Sequence, residues 1–335
     1  RARRDCAKTR PDMLNVFVPE PQGLTRLDPP PAVIPERCLW VDLLEPTLEE
    51  ERAVEQLLAI EVPTREEMRE IETSNRLYEE DGALYMTATV LTRIDTERPE
   101  AAAITFILVG NKLITNRYHD TLPFRRFTAY AERHAAAATS APSILAGLLE
   151  SVIERIADVL ERVGSDLDEL SAGVFAPQRR RKSFSRDMRA VMERIGRNGD
   201  LISKSRESLV SLGRLLSFVQ QSGHVNLTPE VRSRLKTQSR DVLALSDHAT
   251  FVSNKASFML QATLGLINIE QNETVKIFSV VAVVFLPPTL IASIYGMNFH
   301  FMPELDWKLG YPLALLLMLA SAVGPYLFFK RKGWL

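Results

Sequence analysis

The run Ile277–Asn298, IFSVVAVVFLPPTLIASIYGMN, holds no charged residue, and this constrains the rest of the chain more than any other feature. Its nineteen residues from Ile277 to Tyr295 rise about 28 Å as a helix, close to the thickness of a bilayer's hydrocarbon core. A core helix of a soluble protein keeps a polar outer face. This run has none, so it reads as a membrane span. A second uncharged run of the same length, Tyr311–Phe329, is followed at once by Lys330, Arg331 and Lys332. Two spans are expected, at 277–298 and 311–329, with a loop at 299–310 between them and a basic tail at 330–335.

The charged fraction of 25% and the net charge of -1 average two environments, because residues 1–276 hold nearly all the charge. The opening RARRDCAKTRPDML has a basic start without an apolar stretch, so no secretory signal is expected. The large polar region is then expected to stay in the cytoplasm, with two spans returning the C-terminus to that side. The basic cluster Lys330–Lys332 agrees with this, and the loop carrying Glu304, Asp306 and Lys308 is expected to face outward. Cys6 and Cys38 do not have the spacing of a disulfide framework or a thiolate metal site.

Residues 1–141 mix short strand-like and helix-like pieces, which predicts an α/β cytoplasmic domain. Strands are expected at 15–18, 39–43, 83–91, 103–109 and 112–115, each partly β-branched or aromatic and bounded by Pro, Gly, Asp or Asn. Gly110 and Asn111 fit a tight turn between the last two. Thr47 with Glu50 fits a helix start. No phosphate-binding glycine loop, zinc-protease motif or nucleophile elbow occurs, so nothing here reads as an enzyme or as an organic-cofactor site. The acidic clusters at 49–51, 66–67 and 79–81 attract hard cations in principle, but each lies beside Arg or on a solvated face, and no regulatory metal site is assigned.

From Pro142 the pattern changes to long helices, a stalk expected over 142–276. Leu145, Leu149, Val152, Ile156, Val159 and Val163 recur at steps of three and four and continue through Leu167 and Leu170, a seam for packing against another helix. The basic run 178–182 lacks interleaved aromatics and reads as a solvated corner between helices, not as a nucleic-acid site. A second helix is expected from Phe184 to Gln221. Thr228 and Pro229 open a third, and no stop signal follows before Pro287. Unbroken from Pro229 to Tyr295, that helix is about 100 Å long. Two spans cannot enclose a path alone, so transport would need several copies around an axis.

One face of the first span shows what such an axis would meet. Ser279, Ala282, Leu286, Thr289, Ser293 and Gly296 follow at steps of three and four, small or weakly polar except for Leu286. Asn268 and Asn272 extend the stripe upstream. Phe278, Val281, Phe285, Leu290 and Ile291 occupy faces suited to lipid or to the second span. Close helix packing uses small residues in the same way, so the stripe alone leaves pore and packing open. Pro287 and Pro288 are expected to bend or loosen the helix at mid-depth.

The segment YGMNF at 295–299, MPEL at Met302, Pro303, Glu304 and Leu305, then Gly310, Tyr311, Pro312 and the ending FFKRKGWL together resemble the CorA family of Mg²⁺ transporters. INIEQN at 267–272 and FLPPT at 285–289 fit as well, so the resemblance is specific from about Ala262 onward. It implies a homopentameric funnel in the bacterial inner membrane. Each subunit gives one pore helix, its second span lies outside that helix, and both termini are cytoplasmic. It puts Gly296, Met297 and Asn298 at the outer mouth and further pore positions at Thr289, Leu286 and Asn272. A fourth falls on Phe278, one residue off the stripe, so Phe278 and Leu286 are the candidate hydrophobic gate. Family members sense cytoplasmic Mg²⁺ through acids between subunits. Residues 237–247 match too poorly to carry those acids over.

The implied cargo is coherent with the residues. Mg²⁺ holds its six waters tightly, and carboxamide oxygens of Asn can accept hydrogen bonds from that shell without binding the ion too strongly to release it. Gly296 is expected to let the chain turn so that Asn298 reaches inward. Leu286 is expected to form an apolar constriction that closes by dewetting. The leading expectation is inward transport of hydrated Mg²⁺, and of Co²⁺ or Ni²⁺, down the electrochemical gradient and gated by cytoplasmic Mg²⁺. A Zn²⁺ or broad divalent-cation carrier is the alternative within the class. A membrane-anchored helical scaffold is the alternative from another class.

Overall fold

The computed structural model describes residues 14–31, 33–70, 72–94, 96, 99–175, 184–223, 225–298, 300, 302–303 and 307–333. The basic run 178–182, Phe299, Glu304, Leu305 and the two terminal residues lie outside these. The chain divides into two compact units, one holding residues up to Gln178 with Glu193–Met259, the other Arg179–Met192 with Leu260–Leu335.

The first unit is an α/β domain followed by long helices. Seven strands, β1 (Leu14–Glu20), β2 (Gly23–Leu27), β3 (Trp40–Leu44), β4 (Leu77–Glu80), β5 (Ala83–Thr92), β6 (Glu100–Val109) and β7 (Lys112–Arg117), form one sheet in the order β2-β1-β3-β7-β6-β5-β4. Among the described residues β3 and β7 pair in parallel and the other neighbours are antiparallel. Gly110 turns β6 into β7 with φ +57°, a conformation glycine adopts without penalty.

Alternation along the strands divides the side chains between two faces. Phe17, Trp40, Leu84, Met86 and Phe106 belong to one buried cluster with the helices α3 (Leu122–Ala131) and α4 (Ala141–Val174). Val16, Val18, Val41, Tyr85 and Ile107 form the other with Val54 of α1 (Leu48–Leu58). The N-terminus of α1 is the capping box expected from the sequence: Thr47 Oγ1 accepts from the Glu50 backbone N–H, and Glu50 accepts from the Thr47 backbone N–H. Gly147 on α4 is fixed by contact, since a Cβ there would sit 2.2 Å from the Phe127 ring of α3.

One buried network holds the parallel pair. Arg117 Nη2 and Nε donate to the two carboxylate oxygens of Asp42, each at 2.8 Å, with both side chains at least 94% buried. Thr115 donates to Asp42 Oδ1 at 2.7 Å and accepts from Trp40 Nε1 at 3.0 Å. Every member finds a partner, so the desolvation cost of the charges is offset by charge-assisted hydrogen bonds.

All eight seam residues of α4 named above are at most 4% exposed. Four of them, Leu145, Leu149, Val152 and Ile156, belong to one cluster with Leu209, Leu212 and Leu216 of α5 (Phe184–Gln221) and with Val231 and Leu235 of α6 (Pro229–Tyr295). Polar ties complement this packing: Gln238 Nε2 donates to Ala146 O at 2.8 Å, Arg234 to Glu150 at 2.6 Å, and Lys255 to Asp168 at 2.5 Å.

Candidate functional site

The second unit carries the C-terminal part of α6, from Leu260, and α7 (Gly310–Arg331), and both helices are long and apolar enough to cross a membrane. Along α6 the half-buried positions are Val284, Pro287, Pro288, Ile291 and Tyr295, following the fully buried Val280. They recur at steps of three and four, so one stripe of this helix packs inward in a single chain. Ala314, Met318, Ser321, Ala322, Pro325 and Phe329 form the equivalent stripe on α7. Ile291, on a face that the sequence suits to lipid or to the second span, belongs to the packed stripe. The spacing Val280, Val284, Pro287, Ile291 carried that information.

The weakly polar stripe lies outside this packed one. Asn272, Ser279, Ala282, Thr289, Ser293, Gly296 and Asn298 are all exposed, and Leu286 and Phe278 are 66% and 71% exposed. In this chain, therefore, the stripe is not a surface for packing the second span. Its hydroxyls are committed as donors. Ser279, Thr289 and Ser293 each donate to the carbonyl four residues earlier, Val275, Phe285 and Thr289, at 2.8 Å. What they present outward is lone pairs. From Asn272 to Gly296 the stripe extends about 36 Å along the helix.

Pro287 and Pro288 sit inside α6 without ending it. Having no N–H, they leave the carbonyls of Val283 and Val284 without their helical donors. The helix closes at Tyr295, where Gly296 N–H reaches Ala292 O at 2.9 Å and Met297 N–H reaches Ile294 O at 3.3 Å. The sequence suggests that Gly296 lets the chain turn at the helix end. Its φ is not in the left-handed region, and a Cβ there would lie 3.1 Å from Ala292 O, a tight approach at the last turn. Met302 and Pro303 are described as half-exposed and exposed, whereas Glu304 and Leu305 lie outside the described residues. Among the described residues no three Asp, Glu, His or Cys side chains group as a metal site.

Comparison with known proteins fits this architecture. The model of the family described as "CorA-like Mg2+ transporter protein" matches residues 35–331. The Magnesium transport protein CorA of Mannheimia succiniciproducens is 37% identical over 96% of this chain and all of its own length. That of Escherichia coli K12 is 34% identical over the same shares. Among solved structures, the complete CorA magnesium transporter of Methanocaldococcus jannaschii aligns over 96% of this chain and 99% of its own with a TM-score of 0.76. At 20% identity that likeness speaks to fold alone. Family match and near full-length relatives agree: the chain belongs to the CorA-like Mg²⁺ transporter family, a family of transporters and not of enzymes.

Proposed function

We propose that this protein carries Mg²⁺ across the membrane through a path built from several copies of α6. The observation that carries the reading is the near full-length identity with relatives named for magnesium transport. The exposed stripe supports it physically. A face of acceptor oxygens and small residues, left open by the chain's own packing, suits water held around a cation better than it suits lipid.

The cargo is hydrated. Stripping Mg²⁺ would meet a large barrier, so the pore groups hydrogen-bond to its waters, which point their protons outward. Asn298 and its copies offer carboxamide oxygens at the mouth, Ser293, Thr289 and Ser279 offer hydroxyl lone pairs below, and Asn272 offers a second carboxamide ring at the cytoplasmic end. Leu286 is the bulky apolar member, the position where the column of water breaks when the path narrows. Phe278, beside the stripe, contributes to closure if α6 rotates slightly.

We assign the assembly as a homopentamer with both termini in the cytoplasm, and Co²⁺ and Ni²⁺ as further cargo on grounds of their similar hydrated size. Cytoplasmic Mg²⁺ closes the pore by bridging acids on neighbouring copies, where like charges repel without it. Uptake of Mg²⁺ into proteoliposomes under an inside-negative potential tests the whole. Wild-type protein should load the vesicles and Asn298→Ala protein should not. Equal uptake by vesicles with and without wild-type protein would sink it.

A further inference from the structure

The first unit contains a cleft that transport does not use. Strand β4 pairs with β5 only over Ala83–Met86, although β5 runs on to Thr92. Among the described residues no strand lies beside the outer edge of β5 beyond Met86, and the Thr89 backbone N–H donates instead to Ser211 Oγ of α5 at 2.9 Å. Where β4 stops, a cleft of about 570 Å³ opens, floored by Thr87 and Thr89 and walled by α5 and by α2, the single turn Thr73–Arg76.

Four arginines, Arg69, Arg76, Arg206 and Arg214, line it against a single carboxylate, Glu207. Among the described residues none of the four forms an ion pair. Two are oriented by hydroxyls: Arg76 Nη2 donates to Thr89 Oγ1 at 2.8 Å and Arg214 Nη1 to Thr73 Oγ1 at 3.4 Å. Arg76 Nε is buried and has no acceptor, an unusual state for a guanidinium donor. Burial pulls the Arg76 pKa below its ordinary value; Glu207 opposes this and Arg214 adds to it. The cleft thus holds positive charge and unspent donors that its own residues do not neutralise.

We propose that this cleft binds a small organic molecule bearing two or more phosphoryl groups. Guanidinium forks match phosphate oxygens in pairs, and Arg76 Nε supplies a donor already desolvated and held. The volume exceeds what one phosphate fills and lies in the range of small-molecule sites. Leu77 and Val210 in the lining, the latter 52% exposed, give the organic portion an apolar wall. The site is independent of the transport reading, since it lies wholly within the first unit and its ligand is not the cargo.

The test is calorimetric titration of the full-length protein in detergent, with EDTA present so that no divalent ion takes part. Pyrophosphate and ADP are the two probes. Wild type should bind both saturably at 150 mM salt, with ADP tighter by virtue of its organic portion. Arg76→Gln and Arg214→Gln should each weaken binding about tenfold or more, whereas Arg26→Gln, remote and paired with Asp28, should not. Circular dichroism checks folding, and Arg206→Gln at an exposed position serves if Arg76→Gln does not fold. Absence of saturable binding, or binding that the cleft variants leave unchanged, overturns the proposal. So does a third outcome, in which Arg214→Gln weakens assembly while pyrophosphate never binds, for the arginines would then serve an acidic face of another copy.

Discussion

The two units treat the same kind of residue in opposite ways. In the first, Trp40, Phe106, Phe124 and Ile144 are almost wholly enclosed; in the second, Phe278, Phe285, Leu286 and Leu319 are each 65–71% exposed. The first unit completes its burial within one chain, so its core is a property of the single polypeptide. The second leaves much of its apolar surface uncovered within one chain; on the proposal above, lipid and further copies cover that surface while the stripe faces the water of the path. Substitutions in the first unit should therefore register as stability, and those on the stripe as function.

Asn298 is the sharpest case and should give the largest effect. It is exposed, so Asn298→Ala removes no packing within the chain. Mg²⁺ uptake should fall to background while native mass measurement shows the same oligomer as wild type. Asn298→Asp should bind divalent ions more tightly and release them more slowly, because a ring of carboxylates deepens the site. Wild-type rate and selectivity in Asn298→Ala would remove the selectivity role and, with it, the contrast.

Arg117 is the counterpart in the first unit. Arg117→Met leaves the Asp42 carboxylate buried without its cation, a change that costs about 3–5 kcal/mol. Thermal unfolding followed by tryptophan fluorescence should show the loss, since Trp40 is joined to the same network through Thr115. The double variant Asp42→Leu with Arg117→Met should recover much of it. A single variant as stable as wild type would mean that the network does not hold β3 to β7.

What the sequence made legible follows the same division. Five of the seven strands, the α1 capping box, the α4 seam and the starts of α5 and α6 could be read from it, because each rests on local pattern or on apolar periodicity. The two missed strands, Gly23–Leu27 and Leu77–Glu80, are the edges of the sheet. They are short and partly exposed, so their alternation is faint. Asp42 and Arg117 lie 75 positions apart, and the arginine cleft joins residues 69–76 to 206–214. No local pattern announces either. At Gly296 the residue was legible and its tight approach to Ala292 O was not, because that approach is a property of the folded turn.

On the proposed function, Leu286 separates two roles of the stripe. Leu286→Ala should widen an apolar constriction, so divalent leak should rise severalfold while the order of ion preference stays as in wild type. The effect should be smaller than that of Asn298→Ala, and opposite in direction. Uptake measured with cytoplasmic-side Mg²⁺ at zero and at millimolar levels checks it. A leak equal to wild type at both would remove Leu286 from the gate, and a changed ion order would merge the gate with the selectivity site.

The smallest expected effect lies in the first unit at a half-exposed pair, where solvent screens the gain. Burial alone would raise the Asp166 pKa, yet hydrogen bonds from Arg194 and from Asn198, the latter at 2.6 Å, hold it below the usual carboxylate value. A carboxyl depressed in the folded state adds stability that is present above its unfolded pKa of about 3.9 and is lost as pH falls through the folded value. Asp166→Asn should therefore cost under about 1 kcal/mol at neutral pH, as screened pairs do. The difference in Tm between variant and wild type should shrink as pH falls below about 4, where the wild-type carboxyl takes up its proton and the two side chains become alike in charge. Arg194 also pairs with Glu169 at 3.1 Å, so the cation keeps one partner in the variant and α5 is not expected to detach from α4. Parallel Tm curves from pH 7 to pH 3 would show that the Asp166 charge contributes nothing to the contact between these helices, and that apolar burial along the α4 seam suffices to hold them together.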